Sequence, residues 1–170
     1  RSVPPVSLSD VATVAITVTA VNDAPIANGQ AVVTSEDTAV VITLTASDPE
    51  NDPLTYSIVT GPTSGTVSGA GSAVTYTPAP NFSGLDSFTF TANDGTVTSA
   101  EASVTITVTP VNDPPTATAQ SVTVAEDGSL AVTLAGTDPD GDALTFAIVT
   151  PPAHGTLSGT APSLTYTPAA

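Results

Sequence analysis

The segment Val104-Thr105-Ile106-Thr107-Val108-Thr109 alternates branched apolar residues with threonine at every second position. Successive side chains of a β-strand point to opposite faces, so a period of two predicts a strand with one buried and one exposed face. Phe88-Thr89-Phe90-Thr91-Ala92 follows the same pattern, in residue types that suit a half-buried strand. Val40, Ile42 and Leu44 share one face of a third such segment. We therefore predict strands, and no stretch of the sequence shows helical spacing.

Turn-forming residues separate these segments, as at Asp48-Pro49-Glu50-Asn51-Asp52-Pro53, Gly61-Pro62 and Asn93-Asp94-Gly95. Some seven short strands with alternating faces within about 85 residues are typical of a Greek-key β-sandwich of immunoglobulin type. We predict an all-β chain built from such sandwiches in tandem, one complete and one truncated.

Internal repetition supports the tandem arrangement. Sliding the sequence by 90 residues aligns 11–80 with 101–170 without a gap, and 35 of the 70 paired positions are identical. Ile16-Thr17-Val18-Thr19 returns at 106–109, and Val21-Asn22-Asp23 returns at 111–113. Self-similarity at a fixed period is the signature of repeated modules.

The repeat divides the chain into five segments. We predict a terminal strand of a preceding repeat at 1–20, a linker at 21–25, a complete β-sandwich at 26–110, a second linker at 111–115 and a truncated second sandwich at 116–170. Prolines fix φ in both linkers, which predicts extended, semi-rigid joints. The chain starts at Arg1 without an initiator methionine, so we expect it to be cut from a longer polypeptide.

The composition limits the partners. Sixteen acidic residues stand against one basic residue, which gives a net charge of −15. Such a chain repels nucleic-acid phosphates and anionic lipid head groups, so we expect neither nucleic-acid binding nor membrane insertion of this segment. The absence of cysteine excludes disulfides, thiolate zinc sites and thiol nucleophiles.

The acidic residues concentrate near the linkers and in the turns, at positions that recur in both modules. They include Glu36/Glu126, Asp37/Asp127, Asp48/Asp138, Glu50/Asp140, Asp52/Asp142 and Asp23/Asp113. Two unit charges about 4 Å apart at an effective dielectric near 20 repel by roughly 4 kcal/mol, so a cluster needs a counter-ion or raised pKa values. Oxygen ligands in this number suit Ca²⁺ better than Mg²⁺. The alternative is a solvated acidic surface that aids solubility.

The order of these motifs resembles the calcium motifs of cadherin repeats. The motifs are Glu36-Asp37, the run from Ala46 to Ile58, Leu85-Asp86, Ala92-Asn93-Asp94-Gly95 and Val111-Asn112-Asp113-Pro114-Pro115. They are more similar still to the bacterial cadherin-like and immunoglobulin-like tandem repeats of large surface adhesins and type I-secreted proteins. The resemblance covers essentially the whole chain.

That resemblance implies two calcium sites. At the second linker it implies ligands Glu36 and Asp86 from the first module, Asn112 and Asp113 from the linker, and Asp138 and Asp140 from the next module. At the first linker it implies a half-site of Asn22, Asp23, Asp48, Glu50 and Asp94. The chain departs from the family in having fewer linker acids and no second acid after Asp86.

Other chemistry finds little support in the sequence. Asp138-Pro139-Asp140-Gly141-Asp142 starts like an EF-hand, but position twelve is Val149, where a bidentate glutamate is required. The single histidine, His154, replaces Ser64 of the other module and is interpreted as an exposed turn residue. A carboxylate pair for glycoside hydrolysis stays open by composition, but acids duplicated with the repeat favour a structural role. We predict no catalytic residues, and hence a protein that is not an enzyme.

We therefore predict a structural extender, or stalk, of a bacterial cell-surface or secreted adhesin, with Ca²⁺ stiffening the joints. Its partners would be neighbouring repeats of the same chain, and a cell-surface glycan or protein would be reached through other domains. The alternative is a glycan- or protein-binding module accessory to a secreted enzyme. Tyr56, Tyr76 and Phe82 are the carbohydrate-stacking candidates for that alternative, with core packing as the other interpretation.

Overall fold

The computed structural model describes residues 1–3 and 14–169, and every regular element in this part of the chain is a β-strand. Nine strands form the complete module. They are β1 (Ile26–Asn28), β2 (Gln30–Ser35), β3 (Val40–Thr43), β4 (Thr45–Ser47), β5 (Thr55–Thr60), β6 (Gly65–Ala70), β7 (Ala73–Pro78), β8 (Gly84–Asn93) and β9 (Ala102–Thr109). Across residues 1–3 and 14–169, no helix has the length and apolar character needed to span a membrane.

Two sheets make this module a sandwich. One has four strands in the order β2-β9-β8-β5, and the other has three in the order β3-β7-β6, with β1 pairing the adjoining β4. Strand β2 runs parallel to β9, whereas the remaining pairs within the module are antiparallel. This is the Greek-key, immunoglobulin-type sandwich predicted from the sequence.

The core contains the residues that the two-residue period predicts to be buried. Val104, Ile106 and Val108 of β9 are at most 2 % exposed, and Phe88 and Phe90 of β8 pack beside them. The other sheet contributes four further buried residues to the same cluster. These are Ile42, Leu44, Val74 and Tyr76.

The second module contains only part of this architecture. Its strands are β10 (Thr116–Ala117), β11 (Leu130–Thr133), β12 (Gly136–Thr137), β13 (Gly155–Thr160) and β14 (Ser163–Pro168). They reproduce the three-stranded sheet, as β11-β14-β13, and the small β10-β12 pair. The counterparts of β2 and β5 are present in the sequence, at 120–125 and 145–150, but form no strand. In the complete module those strands pair with β9 and β8, and the described residues 116–169 contain no counterpart of either.

The segment before the first linker shows the same dependence on a partner. Val14, Ile16 and Val18 correspond to the buried residues of β9, yet each is about four-fifths exposed, at 79 %, 81 % and 87 %. Residues 14–20 form no strand, and residues 4–13 of the terminal strand predicted at 1–20 lie outside the described residues. An alternating sequence therefore forms a strand here only where neighbouring strands supply hydrogen bonds.

Acidic residues are almost absent from the strands of the described residues. Asp86 is the one acidic residue within β1–β14, and the other acids of the described residues lie in turns, loops and linkers. The sheet faces are neutral, and the negative charge collects at the two ends of the sandwich.

Candidate functional site: the acidic joints

The second joint is organised around Asp113 of the linker. Its backbone N–H donates to Asp140 Oδ2 at 2.7 Å, which ties the linker to the loop after β12. That loop is held by Asp138, whose Oδ1 accepts the N–H groups of Asp140 at 3.0 Å and Asp142 at 3.3 Å. An aspartate that accepts from amides two and four residues further on stabilises a tight turn. The linker and the second module thus meet through carboxylates.

Glu36 connects the same linker to the complete module. It follows β2, is only 4 % exposed, and accepts a hydrogen bond from the N–H of Val111 through Oε1. A buried carboxylate needs such a donor or a cation to offset the loss of water. The linker is therefore bound on one side by Glu36 and on the other by Asp140.

The electrostatics of this joint are unfavourable as they stand. Burial raises the pKa of the Asp113 carboxyl above its ordinary value, and four nearby carboxylates raise it further. In order of effect they belong to Asp37, Asp140, Glu36 and Asp138. Asp113 Oδ2 is buried and accepts no hydrogen bond. A carboxylate oxygen that is shielded from water, unpaired and surrounded by like charges is suited to receive a cation.

The first joint repeats this geometry one module earlier. The N–H of Asp23 donates to Glu50 Oε2 at 3.2 Å, and Asp48 Oδ1 accepts the N–H groups of Glu50 and Asp52 at 3.1 and 3.0 Å. Asp48 Oδ2, like Asp113 Oδ2, is buried without a partner. In both joints, therefore, the backbone N–H of a linker aspartate donates to a carboxylate of an equivalent turn, which is itself stabilised by an aspartate.

Asp94 completes the first joint from the loop between β8 and β9. Its Oδ2 accepts from Asn22 Nδ2 at 2.9 Å, and its Oδ1 accepts the amides of Thr96 and Val97. The hydrogen bond from Asn22, followed by those from Val97 and Thr96, lowers the pKa of Asp94. Asn112, the counterpart of Asn22, is exposed and donates only to the carbonyl of Asp113, at 3.1 Å.

Asp86 occupies a different environment from the other predicted ligands. It is 6 % exposed, and its two oxygens accept five hydrogen bonds from donors of its own module. The donors are Thr63 N, Thr63 Oγ1, Ser64 N, Tyr76 Oη and Ser87 N. Burial alone would raise the pKa of Asp86, but these hydrogen bonds hold it below the ordinary value. The lone pairs that a metal would need are thus already engaged.

Asp37 is the residue that the predicted ligand set omits. It has a left-handed backbone with φ of 56°, and its twin Asp127 has φ of 61°. Its carboxylate contributes the largest charge effect on Asp113 and accepts the N–H of Asn81 at 3.3 Å. The repeat pairs Asp37 with Asp127 in the sequence, but the effect of Asp37 on Asp113 is apparent only in the fold.

The remaining candidates have structural environments. Tyr76 is fully buried, and the Tyr56 ring packs 6.2 Å from that of Phe90. Phe82 packs against the core, and no aromatic side chain of the described residues is fully exposed. His154 is exposed and accepts a hydrogen bond from Tyr166 Oη through its backbone carbonyl.

As the side chains stand in residues 1–3 and 14–169, no group of three or more aspartate, glutamate, histidine or cysteine side chains is close enough to hold a metal ion. Mutual repulsion of unneutralised carboxylates is a physical reason for them to stay apart. At the second joint the predicted ligands Glu36, Asp138 and Asp140 thus act on the charge of Asp113 without forming a closed coordination shell, and Asp86 is not among them.

Three solved structures are similar to the chain at TM-scores below 0.5. Among solved structures the chain is similar to an endo-fucoidan hydrolase of glycoside hydrolase family 107, with 21 % identity, 86 % of this chain and 24 % of that chain covered, and a TM-score of 0.44. It is also similar to cadherin domains 3–6 of protocadherin gamma B2, with 12 % identity, 86 % and 39 % coverage, and a TM-score of 0.49. Domains EC1-2 of human protocadherin-24 match with 16 % identity, 69 % and 61 % coverage, and a TM-score of 0.42.

The chain spans only about a quarter of that hydrolase, at 24 % of its length. No curated protein matches the chain. The family model described as "Bacterial Ig domain" matches residues 22–107 and again residues 112–170. The two matches correspond to the two sandwich units and together cover most of the sequence. The chain therefore belongs to the bacterial Ig domain family, as two immunoglobulin-like domains in tandem.

Proposed function

We propose that the chain is an extender segment of a bacterial surface or secreted adhesin, in which Ca²⁺ bound at the acidic joints stiffens the array. The observation that carries this proposal is the environment of Asp113. One oxygen of its carboxylate, Oδ2, is shielded from water and accepts no hydrogen bond, and the charges of four other carboxylates from the two modules that it joins act on it. A divalent cation would neutralise that cluster and link the modules at the same time.

The ligands that fit best are Asp113, Asp138, Asp140, Glu36 and Asp37. We leave Asp86 out of this set because five internal hydrogen bonds already use its oxygens. The first joint would offer a related set from Asp23, Asp48, Glu50 and Asp94, with Asn22 bound to Asp94. Ion binding would draw these side chains inward from their present separated positions.

A non-catalytic role is part of the proposal. The acids recur with the repeat and lie at the ends of the sandwich, which suits coupling between modules. Of the three glycan-stacking candidates, Tyr76 is fully buried, and Tyr56 and Phe82 are partly buried against the core, which favours packing as their role. Extracellular exposure supplies the millimolar calcium that weak sites of this kind require.

The test compares the Asp113→Asn variant with the parent chain, in calcium and in chelator. We expect calcium to raise the thermal midpoint of the parent and to extend it in small-angle scattering, whereas Asp113→Asn responds weakly. Glu101→Gln is the matched control, because it removes one charge from an exposed loop residue outside the second joint. Identical dimensions and stability of the parent in calcium and in chelator would refute calcium as the stiffening agent.

A further inference from the structure

Residues 14–19, which we call the donor segment, are an exposed apolar stretch beside the first linker. Five of the six residues are identical to their counterparts at 104–109 in β9. The apolar residues of β9 are at most 2 % exposed, whereas Val14, Ile16 and Val18 are 79 %, 81 % and 87 % exposed. The donor segment thus carries the inward-facing residues of a core strand but covers no core in its own chain.

The second module has an open cleft where such a strand would fit. The cleft has a volume of about 340 Å³ and is lined by Val122, Val132, Thr150, Pro152, Leu157 and Tyr166. Four of these residues have counterparts, 90 positions earlier, that lie in or against the core of the complete module, namely Val32, Ile42, Val67 and Tyr76. In that module side chains of β8 and β9 complete the core, and residues 116–169 contain no counterpart of either strand. The cleft is therefore an uncovered half-core.

The pairing of β2 with β9 predicts how the donor segment would lie in this cleft. Val32 lies opposite Ile106 in that parallel pair. One repeat along the chain, the same register places Val122 opposite Ile16 and pairs 120–125 with the donor segment. Residues 120–125 form no strand in the structure, so this edge is open to a strand from elsewhere.

The donor segment cannot reach the cleft of its own chain. Asn22 contacts the loop after β8, whereas Val111 contacts Glu36 at the turn after β2, so the two linkers leave the complete module at opposite ends. The eight residues of β9 separate these ends by about 26 Å. The three peptide units from Thr19 to Asn22 span at most about 11 Å. The strand that fills the cleft must therefore come from a second copy.

We propose that the donor segment of one copy binds the cleft of another copy, in the place that β9 occupies in the complete module. Each copy has one donor segment and one cleft, which are different surfaces, so the contact is head-to-tail and further copies can add in series. The inference goes beyond the proposed stalk function, because it lengthens the array without a covalent bond. Its geometry needs no metal ion.

The donated strand would also rebuild the joint that follows β9. In the complete module the N–H of Glu36 donates to the carbonyl of Thr109 at 2.9 Å, and its carboxylate accepts the N–H of Val111. Glu36 is 4 % exposed, whereas its counterpart Glu126 is exposed, and Val21, the counterpart of Val111, is 77 % exposed. In the complex Glu126 would bind Val21 of the second copy in the same way. The contact would thus continue from the sheet into the linker.

The experiment measures the mass of the full chain in chelator by analytical ultracentrifugation over a series of concentrations. We expect the mass to rise with concentration beyond that of a monomer. Ile16→Asp alters the donor segment and Val122→Asp alters the cleft, and each should weaken association by more than about tenfold, because each buries an unpaired charge in the contact. Both residues are exposed and lie outside the strands, so these variants should keep the fold. Val41→Asp is the matched control, because it replaces a valine that is 69 % exposed and belongs to neither surface.

A mixture of the two altered chains separates head-to-tail binding from general aggregation. Ile16→Asp retains its cleft and Val122→Asp retains its donor segment, so the equimolar mixture should form a dimer that does not grow further. A parent chain that stays monomeric at every concentration, or a mixture that forms no dimer, would overturn the proposal. So would a Val41→Asp chain that loses association as Ile16→Asp does. Because these measurements are made without calcium and report mass, their failure would leave the calcium proposal standing, and the reverse also holds.

Discussion

Replacing Asp86 by alanine provides the most direct test of how the complete module is held together. The change removes the acceptor of five hydrogen bonds, including that of the Tyr76 hydroxyl, whose side chain is fully buried. An orphaned buried hydroxyl costs about 1–3 kcal/mol, and each lost bond to a charged group is of similar size. The amides of Thr63 and Ser64 lie in a half-exposed loop, so water recovers part of their loss.

The expected destabilisation by Asp86→Ala is about 3–5 kcal/mol, the range for losing one member of a buried charged network. A module of this size has a total stability of about 4–13 kcal/mol, so the variant lies near the limit of folding. Urea denaturation followed by circular dichroism measures the effect, with a midpoint lowered by more than about 1 M. A loss below about 1 kcal/mol would refute the structural role of this carboxylate.

The same residue predicts a pH dependence with a definite sign. The pKa of Asp86 is lower in the folded state than in the unfolded chain, so its stabilisation is complete above the unfolded value. That stabilisation is lost as the pH falls through the lowered pKa. Asp86→Asn should flatten this acid limb of the stability curve. The cost of Asp86→Ala should also be equal in calcium and in chelator, whereas a calcium ligand would show a larger cost in calcium.

Three further predictions address packing, the joint and the truncation. Gly65→Ala should lower the free energy of unfolding by about 2 kcal/mol or more in urea denaturation, because a Cβ there would lie 2.6 Å from the Tyr76 ring and from a backbone carbonyl. Gly61→Ala is the control, because a Cβ at that position meets open space, and it should leave the stability nearly unchanged. In chelator, the raised pKa of Asp113 means that its ionised form is unfavourable in the folded joint, so the linker should become less ordered as the pH rises through that pKa. Small-angle scattering at a series of pH values measures this change, and Asp113→Asn should abolish it. A parent chain whose scattering does not change with pH would contradict the prediction. The isolated segment 116–170 should show no cooperative unfolding transition, because its half-core lacks covering strands; a sharp calorimetric transition would show that the repeat boundary is misplaced.

Much of the fold could be predicted from the sequence because burial in a sandwich follows the two-residue period. The alternating residues of β8 and β9 are buried as their pattern indicates, and the repeat of 90 residues predicts a second unit. Sequence could not show that 14–20 and 120–125 form no strand. The same period is present there, but strand formation depends on hydrogen bonds from distant segments.

The candidate site, too, could be predicted from the sequence only in part. The clustering of acids near the linkers could be read from turn positions, because turns and linkers lie at the ends of strands. The environment of Asp86 could not be predicted from the sequence, because its five donors come from segments up to 23 residues away in the chain. Asp37 was left out of the predicted ligand set for the same reason, because only folding brings its carboxylate close to that of Asp113.

The sequence by itself thus determined the strands, the repeat and the confinement of charge to the turns, because these are local patterns of polarity. Only the tertiary structure decided which carboxylates face one another and which are already hydrogen-bonded. It also decided that β2 and β9, from opposite ends of the module's sequence, pair in parallel. These properties depend on contacts between residues far apart in the chain, and such contacts leave no periodic trace in a single sequence.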